Sequence, residues 1–285
     1  MFFARSGNFE AVFVGIEWWR ESNNTTLSPH SRSKTSTMSY SPNSMPYEVT
    51  KSASNGTSAT RLYARCILFD LDGTLYESPE YSKCLDEEIV RVVSEELLLN
   101  ESEAKLLVER KKKEIGTLTR TIESLGVDRN LFYHRLSRRI EPRLYLSPNP
   151  ETRLTIEKLK RIGFRIGLVS NTGRELVRKI LDAIDLDPAL FDTIVTSTEA
   201  QPKPSPEPYL LAIETQGCDR NETVYVGDRE EAELRPAREL GLKTILVSVE
   251  KQQSRWADAV VVNISQLPEV LNMSDHNTGA RKLAR

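Results

Sequence analysis

The chain has 285 residues, a charged fraction of 28% and a formal net charge of −2, and this length suits one α/β domain with a smaller accessory domain. The charge balance offers no basic surface for nucleic acid or anionic lipid, and no apolar stretch reaches the roughly 20 residues of a membrane-spanning helix. The three cysteines lie far apart in no metal-ligand spacing. Neither a disulfide framework nor a zinc site is therefore expected, and a reducing compartment fits best.

Residues 1–60 are expected to form a disordered leader, because Ser, Thr, Asn and Pro dominate most of this segment and apolar periodicity is almost absent. Glu10 and Glu17 argue against a secretory signal, which favours a cytoplasmic location. The Ser/Thr-rich composition keeps a plastid or mitochondrial transit peptide as the alternative. An over-long start is also consistent with Met38 and Met45, which both precede the predicted fold.

The predicted fold begins near Arg61, where the apolar run Cys66–Phe69 is typical of a strand buried on both faces. Similar runs and helical patterns alternate in the second half of the chain. The predicted strands are 165–169, 193–196, 223–226, 243–247 and 259–262, and the predicted helices are 151–161, 174–184, 206–215, 232–240 and 264–271. This alternation predicts an α/β fold with a Rossmann-like, doubly wound parallel sheet.

One interval interrupts the alternation. Between residues 78 and 142 there is no strand pattern, only charged amphipathic segments at 86–98, 101–114 and 130–138. We interpret 78–142 as a helical cap inserted between the first two strands of the sheet. The core then comprises 61–77 and 143–272, and the polar tail 273–285 is expected to be disordered.

Polar residues follow several of the predicted strands. In a parallel sheet the carboxyl ends of the strands lie at one edge, where ligands bind. The residues that the sequence predicts at this edge are Asp70, Asp72, Gly73, Ser170, Asn171, Lys203 and Asp228.

Asp70 and Asp72 are two positions apart and are expected to project to the same side. One carboxylate is suited to attack phosphorus, and the other is suited to exchange protons with the leaving oxygen and with water. Because two anions would repel a phosphate, cations are needed, and Lys203 and a hard metal ion held by carboxylates and a backbone carbonyl would provide them. Gly73 permits a close backbone turn, and Ser170 and Asn171 are expected to bind the phosphate.

The sequence Asp70-Leu71-Asp72-Gly73-Thr74 resembles the first motif of the haloacid dehalogenase superfamily, and counterparts of the other three motifs follow in order. The resemblance spans roughly residues 65–271 and implies a phosphatase-type hydrolase whose helical cap closes over the site. It implies these roles: Asp70 as nucleophile, Asp72 as general acid/base, Ser170 as phosphate-binding hydroxyl, Lys203 as charge-neutralising lysine and Asp228 as ligand of Mg²⁺.

The fourth motif departs from the family pattern. The predicted metal residues are Asp70, Asp72, Asp228 and Glu233, and the family usually has aspartate at the last position. Two neighbouring glutamates, Glu230 and Glu231, compete with Glu233 for this role, and either of them is also explained as an exposed acid at a helix start.

The predicted function is Mg²⁺-dependent hydrolysis of a small phosphomonoester through an aspartyl-phosphate. A sugar phosphate, a phosphoglycolate-like acid and a nucleotide all remain candidate substrates. Asp72 favours phosphoryl transfer, because the carbon-halogen-cleaving relatives lack this second aspartate. A phosphomutase of the same superfamily, or a non-catalytic member that binds a phosphorylated ligand or a protein, is the alternative.

Two further residues, Tyr76 and Arg174, lie beside the motifs. For each of them the sequence leaves open both a contact with substrate and a structural role. The sequence does not indicate an oligomeric state.

Overall fold

The computed structural model describes residues 61–250 and 254–273, so the predicted leader 1–60 and the tail beyond residue 273 lie outside the described residues. The strands are β1 (Leu62–Ala64), β2 (Cys66–Phe69), β3 (Arg165–Val169), β4 (Thr193–Val195), β5 (Thr223–Gly227), β6 (Lys243–Val247), β7 (Ala259–Val261) and β8 (Leu271–Met273). Six of them form the main sheet in the order β4-β3-β2-β5-β6-β7, with every neighbouring pair parallel.

Helices connect these strands. They are α1 (Pro79–Leu97), α2 (Glu101–Ile115), α3 (Leu118–Ser124), α4 (Arg129–Arg139), α5 (Pro150–Ile162), α6 (Arg174–Ala183), α7 (Glu207–Gln216), α8 (Arg235–Glu239) and α9 (Leu267–Val270). A π-helical turn, Glu230–Leu234, precedes α8, and 3-10 turns lie at Pro142–Leu144, Pro188–Leu190, Arg220–Glu222 and Ile264–Gln266. No helix in the described part of the chain has the length and apolar character that crossing a membrane requires.

The main sheet is covered on both faces. Successive residues of a strand point to opposite faces, and in β2 Ile67 and Phe69 belong to one buried cluster whereas Leu68 belongs to another. The first cluster includes residues of α5, α6 and α9, and the second includes residues of α7 and α8. This arrangement confirms the predicted α/β class and the doubly wound parallel sheet.

Four helices, α1 to α4, lie between β2 and β3 in the chain, and we call residues 78–142 the helical insertion. Its first helix begins where Ser78 accepts a hydrogen bond from the amide of Tyr81, and Pro79 occupies the first turn. The next begins at Asn100, which forms a capping box with Glu103. The sequence pattern did not predict α3, which is only seven residues long.

Two features near the amino end of β2 differ from the sequence predictions. The strands β1 and β8 pair in parallel, with Leu62 opposite Leu271, although neither three-residue segment has a recognisable strand pattern. Cys66 and Cys218 form a disulfide across 152 residues, with Cα atoms 6.5 Å apart. The expectation that these cysteines are unpaired is wrong, because β2 and β5 are neighbours in the sheet and bring the two segments together.

Candidate active site

The sheet order explains why the sequence motifs meet. Strand β2 lies between β3 and β5, so the residues that follow these three strands share the centre of one sheet edge. Asp70 continues β2, and its amide donates to the carbonyl of Val226 in β5. Ser170 continues β3, and Asp228 continues β5. The fold therefore brings three of the four motifs to one place, and Lys203 of the remaining motif contacts Asp70 there.

Lys203 is the centre of the hydrogen-bond network at this edge. Its side chain is 1% exposed, and Nζ donates to Asp70 Oδ1 at 2.5 Å, to Glu233 Oε1 at 3.0 Å and to the hydroxyl of Tyr225 at 2.8 Å. Burial lowers the pKa of Lys203, but the charges of Asp70 and Glu233 outweigh burial, and the pKa is raised. The lysine is therefore a fixed cation between two carboxylates.

Asn171 positions this lysine. Its Oδ1 accepts from the amide of Lys203 at 2.7 Å, and its Nδ2 donates to the carbonyl of Lys203 at 2.9 Å. The sequence assigned Asn171 to substrate binding, but its side-chain amide is used in holding the Lys203 main chain. The peptide bond from Lys203 to Pro204 is cis.

Asp72 has different partners from Asp70. Its Oδ1 accepts a short hydrogen bond from the hydroxyl of Tyr76, and its Oδ2 accepts from Thr172 Oγ1 at 3.1 Å. Burial raises the pKa of Asp72, and the charge of Asp70 raises it further, although the two hydroxyl donors act in the opposite direction. The net direction, a raised pKa, is the direction that suits a group that must give and take a proton.

Three carboxylates form an acidic group beside Lys203. Asp70, Asp228 and Glu233 each offer an oxygen, and these oxygens lie within 4.8 Å of one another. Burial, followed by the charge of Asp70, raises the pKa of Asp228 to about 6 and that of Glu233 to about 8. The carboxylate of Asp72, also predicted as a metal residue, is not a member of this group.

The acidic group fits a hard divalent cation. Within the described residues, Asp228 Oδ1 and Glu233 Oε2 are buried and have no hydrogen-bond partner. A buried carboxylate oxygen without a partner is unfavourable. Carboxylate oxygens are the donors that Mg²⁺ prefers, so a cation here would satisfy both atoms.

Gly73 allows the first and fourth motifs to approach each other. Its φ is +87°, and a Cβ atom at this position would lie 2.4 Å from Asp228 Oδ2. Both the left-handed backbone conformation and the close approach require glycine. Glycine at this position therefore leaves the space that the carboxylate of Asp228 occupies.

The structure separates the three competing glutamates. Glu230 accepts from Ser254 Oγ at 2.6 Å, and Glu231 accepts from Trp256 Nε1 at 2.9 Å, so both anchor the loop that leads to β7. Glu233 is 3% exposed and lies against Lys203. Of the three, Glu233 is the one that reaches the acidic group.

Two further predicted candidates have distinct positions. Ser170 is buried, accepts from the amide of Thr172 at 3.1 Å and has its Oγ 3.5 Å from Asp72 Oδ2. Arg174 donates to Glu199 Oε1 at 2.5 Å and to the carbonyl of Ile194 at 2.6 Å. These contacts show a structural role for Arg174 at the start of α6.

The helical insertion contacts the loop that follows β3. The hydroxyl of Tyr133 donates to the carbonyl of Asn171 at 2.7 Å, and Thr119 Oγ1 donates to the same carbonyl at 3.1 Å. A Cβ atom on Gly173 would lie 2.5 Å from Tyr133 Cβ, so helix and loop are in close contact. The insertion therefore lies beside the candidate site.

Sequence reasoning missed two contributors. Thr172 holds Asp72, and Tyr225 contacts Lys203. Tyr76, for which the sequence left a substrate contact and a structural role open, also holds Asp72. Thr172 follows Ser170 by two positions, a spacing that favours a shared side and was a usable signal. Tyr225 is an inward-facing residue of β5, and its hydroxyl gave no sequence signal beyond the strand pattern.

Comparison with known proteins agrees with this geometry. The family model described as haloacid dehalogenase-like hydrolase matches residues 67–247, more than half of the chain. The chain belongs to the haloacid dehalogenase-like hydrolases. The predicted membership of this superfamily is thereby confirmed.

Two curated relatives of this haloacid dehalogenase-like hydrolase are phosphatases. It is 32% identical over 183 residues to a phosphoglycolate phosphatase of Aquifex aeolicus, a match covering 64% of this chain and 84% of the relative. It is 26% identical to a glyceraldehyde 3-phosphate phosphatase of Methanocaldococcus jannaschii, with 72% and 96% covered. The family and these relatives together support the predicted enzyme class, a phosphatase.

Solved structures support the fold of the haloacid dehalogenase-like hydrolase. A phosphatase of this superfamily from Thermococcus onnurineus superposes with a TM-score of 0.53 at 21% identity, covering 72% of this chain and 97% of the other. At this identity, the likeness supports the predicted Rossmann-like core alone.

Proposed function

We propose that the chain is a Mg²⁺-dependent phosphohydrolase that cleaves a small phosphomonoester through an aspartyl-phosphate on Asp70. The observation that carries the proposal is the different environment of two neighbouring carboxylates. Asp70 is paired with the cation of Lys203, whereas Asp72 is held by two hydroxyl groups and has a raised pKa. Asp70, beside a cation, is suited to act as the nucleophile, and Asp72, with its raised pKa, is suited to exchange a proton.

In the first step a carboxylate oxygen of Asp70 attacks phosphorus, and the bond between phosphorus and the ester oxygen breaks. Asp72 gives its proton to the departing oxygen, so the alcohol leaves neutral. In the second step Asp72 takes a proton from water as the water oxygen attacks phosphorus, and the bond from phosphorus to Asp70 breaks. Phosphate is released and both carboxyl groups return to their starting states.

Other residues bind and orient the phosphate. Lys203 neutralises charge on Asp70 and on the phosphate oxygens, and Ser170 donates a hydrogen bond to them. Asp70, Asp228 and Glu233 would hold Mg²⁺. When bound, the metal supplies further positive charge against the phosphate.

The proposed division is a core of residues 61–77 and 143–272 with a cap of residues 78–142. The contacts of Thr119 and Tyr133 with Asn171 support this cap, because they seat the helical insertion against the loop carrying Ser170. Closure there would exclude water from the first step. The named substrates of the curated relatives support a small phosphorylated metabolite such as phosphoglycolate or glyceraldehyde 3-phosphate.

A phosphate-release assay over a panel of phosphomonoesters tests the proposal. The panel contains p-nitrophenyl phosphate, phosphoglycolate, glyceraldehyde 3-phosphate, sugar phosphates and nucleotides, each with Mg²⁺ or with EDTA. We expect Mg²⁺-dependent release of free phosphate from at least one alkyl phosphate. An isomerised sugar phosphate without free phosphate would instead identify a phosphomutase, and an inert panel would favour a non-catalytic binding protein.

A further inference from the structure

We propose that Tyr76 is a positioning residue that holds Asp72 in the orientation from which it protonates the leaving oxygen. This inference rests on the proposed function. Its first basis is direct contact, since the hydroxyl of Tyr76 donates a short hydrogen bond to Asp72 Oδ1. A hydrogen bond to a carboxylate is stronger and more directional than one between neutral groups.

Asp72 is held from two sides. Thr172, in the loop after β3, donates to Oδ2 at 3.1 Å, while Tyr76, from the segment leading to α1, donates to Oδ1. The Tyr76 main chain is also fixed, because its carbonyl accepts from the amide of Gly73 at 3.0 Å. On the Asp72 carboxylate, Oδ1 therefore accepts from Tyr76, and Oδ2 accepts from Thr172 and, at 3.5 Å, from Ser170 Oγ. Tyr76 belongs to a different loop from the other two donors.

The ring of Tyr76 is held where the helical insertion joins the core. It packs edge-on against Tyr81, with ring centroids 5.9 Å apart, and Tyr81 packs against Tyr145 at 6.4 Å. Tyr81 lies at the start of α1, and Tyr145 lies on the returning connection before α5. Ser78 Oγ also donates to the carbonyl of Tyr145 at 3.2 Å. Both connections therefore support the ring that orients Asp72.

This role has a chemical signature that a purely structural role lacks. An alkoxide is a poor leaving group and needs a proton as its bond to phosphorus breaks, whereas p-nitrophenolate departs without one. Displacing Asp72 should therefore slow cleavage of alkyl phosphates much more than cleavage of p-nitrophenyl phosphate. The ratio of kcat/KM for the two substrates isolates this effect, because kcat/KM covers the steps up to the first irreversible one, here formation of the phosphoenzyme.

The test compares the unaltered protein with Tyr76→Phe, using p-nitrophenyl phosphate and the best alkyl phosphate of the panel with Mg²⁺. General acid catalysis contributes about 10²–10⁴-fold, and partial loss of positioning should lower kcat/KM for the alkyl substrate roughly 10- to 100-fold. For p-nitrophenyl phosphate the expected change is below about 3-fold. Tyr81→Phe is the matched control: within the described residues its hydroxyl has no hydrogen-bond partner, so the substrate ratio should not change.

A double variant establishes whether Tyr76 acts through Asp72. In an Asp72→Asn background the added Tyr76→Phe change should leave the substrate ratio unaltered, because the proton donor is already absent. An active protein in which Tyr76→Phe slows both substrates equally would overturn the positioning role while the phosphatase function stands. An unaltered protein that hydrolyses neither substrate would refute the proposed function and this inference with it.

Discussion

Replacing Lys203 by methionine should strongly destabilise the metal-free protein. Lys203 is 1% exposed and forms ion pairs with Asp70 and Glu233, both of which are also buried. Removing one partner of a buried ion pair costs about 3–5 kcal/mol, because the remaining charge is left without compensation. Here two carboxylates lose their shared cation, so the upper part of that range is expected. For a domain of this size the melting temperature should fall by roughly 10–20 °C.

The assay is urea unfolding followed by circular dichroism at pH 10 in EDTA, where Glu233 is ionised in the unaltered protein. Lys160→Met is the control, since Lys160 is partly exposed and pairs with Asp192 at 3.1 Å. This substitution should lower the free energy of unfolding by less than about 1 kcal/mol. The double variant Lys203→Met with Glu233→Gln should recover part of the stability, because one buried charge is removed with the lysine.

The destabilisation should depend on pH in a defined direction. The pKa of Glu233 is already raised from 4.5 to about 8, and loss of the neighbouring cation raises it further. At pH 10 Glu233 of the unaltered protein is ionised, whereas at pH 7 Glu233 of the folded variant carries a proton that relieves its buried charge. The difference in unfolding free energy between the two proteins should therefore be smaller at pH 7 than at pH 10. A loss below about 1 kcal/mol at pH 10, or a loss that is the same at pH 10 and pH 7, would contradict this reasoning.

Two further predictions concern the acidic group. Gly73→Ala should weaken Mg²⁺ binding by roughly 10-fold or more in calorimetry, because the added Cβ would lie 2.4 Å from Asp228 Oδ2. Gly116→Ala is the control. Gly116 has the same φ of +87°, but a Cβ there would have no atom within 4 Å, so Mg²⁺ binding should not change. Binding of Mg²⁺ at pH 7 should release about one proton, from Glu233 with its pKa of about 8. At pH 9 the proton release should almost vanish, because Glu233 is then already ionised. Calorimetry in buffers of different ionisation enthalpy measures the number of protons released at each pH. Equal proton release at pH 7 and pH 9 would contradict Glu233 as the source of the proton.

The sequence was sufficient to predict the parallel sheet and the motifs that meet at its edge. Apolar runs such as Cys66–Phe69 identify buried strands from composition alone, and polar residues after such runs lie at a common edge in any parallel sheet. The short strands β1 and β8 were missed because three residues contain no periodic pattern. The disulfide between Cys66 and Cys218 depends on which strands are neighbours, and spacing along the chain does not specify that.

Side-chain partners within the site were less predictable. Glu230, Glu231 and Glu233 are the same residue type within four positions, and only the π-helical turn at Glu230–Leu234 and the loop at Ser254 decide which one faces Lys203. Asn171 was expected to bind substrate, but its contact with the Lys203 main chain joins residues 32 positions apart. Such contacts follow from tertiary packing, which local patterns do not encode.

The central claim is that Asp70 is the nucleophile, and one measurement tests it most directly. Asp70→Asn should abolish Mg²⁺-dependent release of phosphate from p-nitrophenyl phosphate, because an amide does not form the aspartyl-phosphate. Asp86→Asn, which changes an acid of α1 whose side chain is 68% exposed and lies 3.6 Å from Lys112, should retain the rate of the unaltered protein. A folded Asp70→Asn variant that releases phosphate at an unchanged rate would contradict the mechanism.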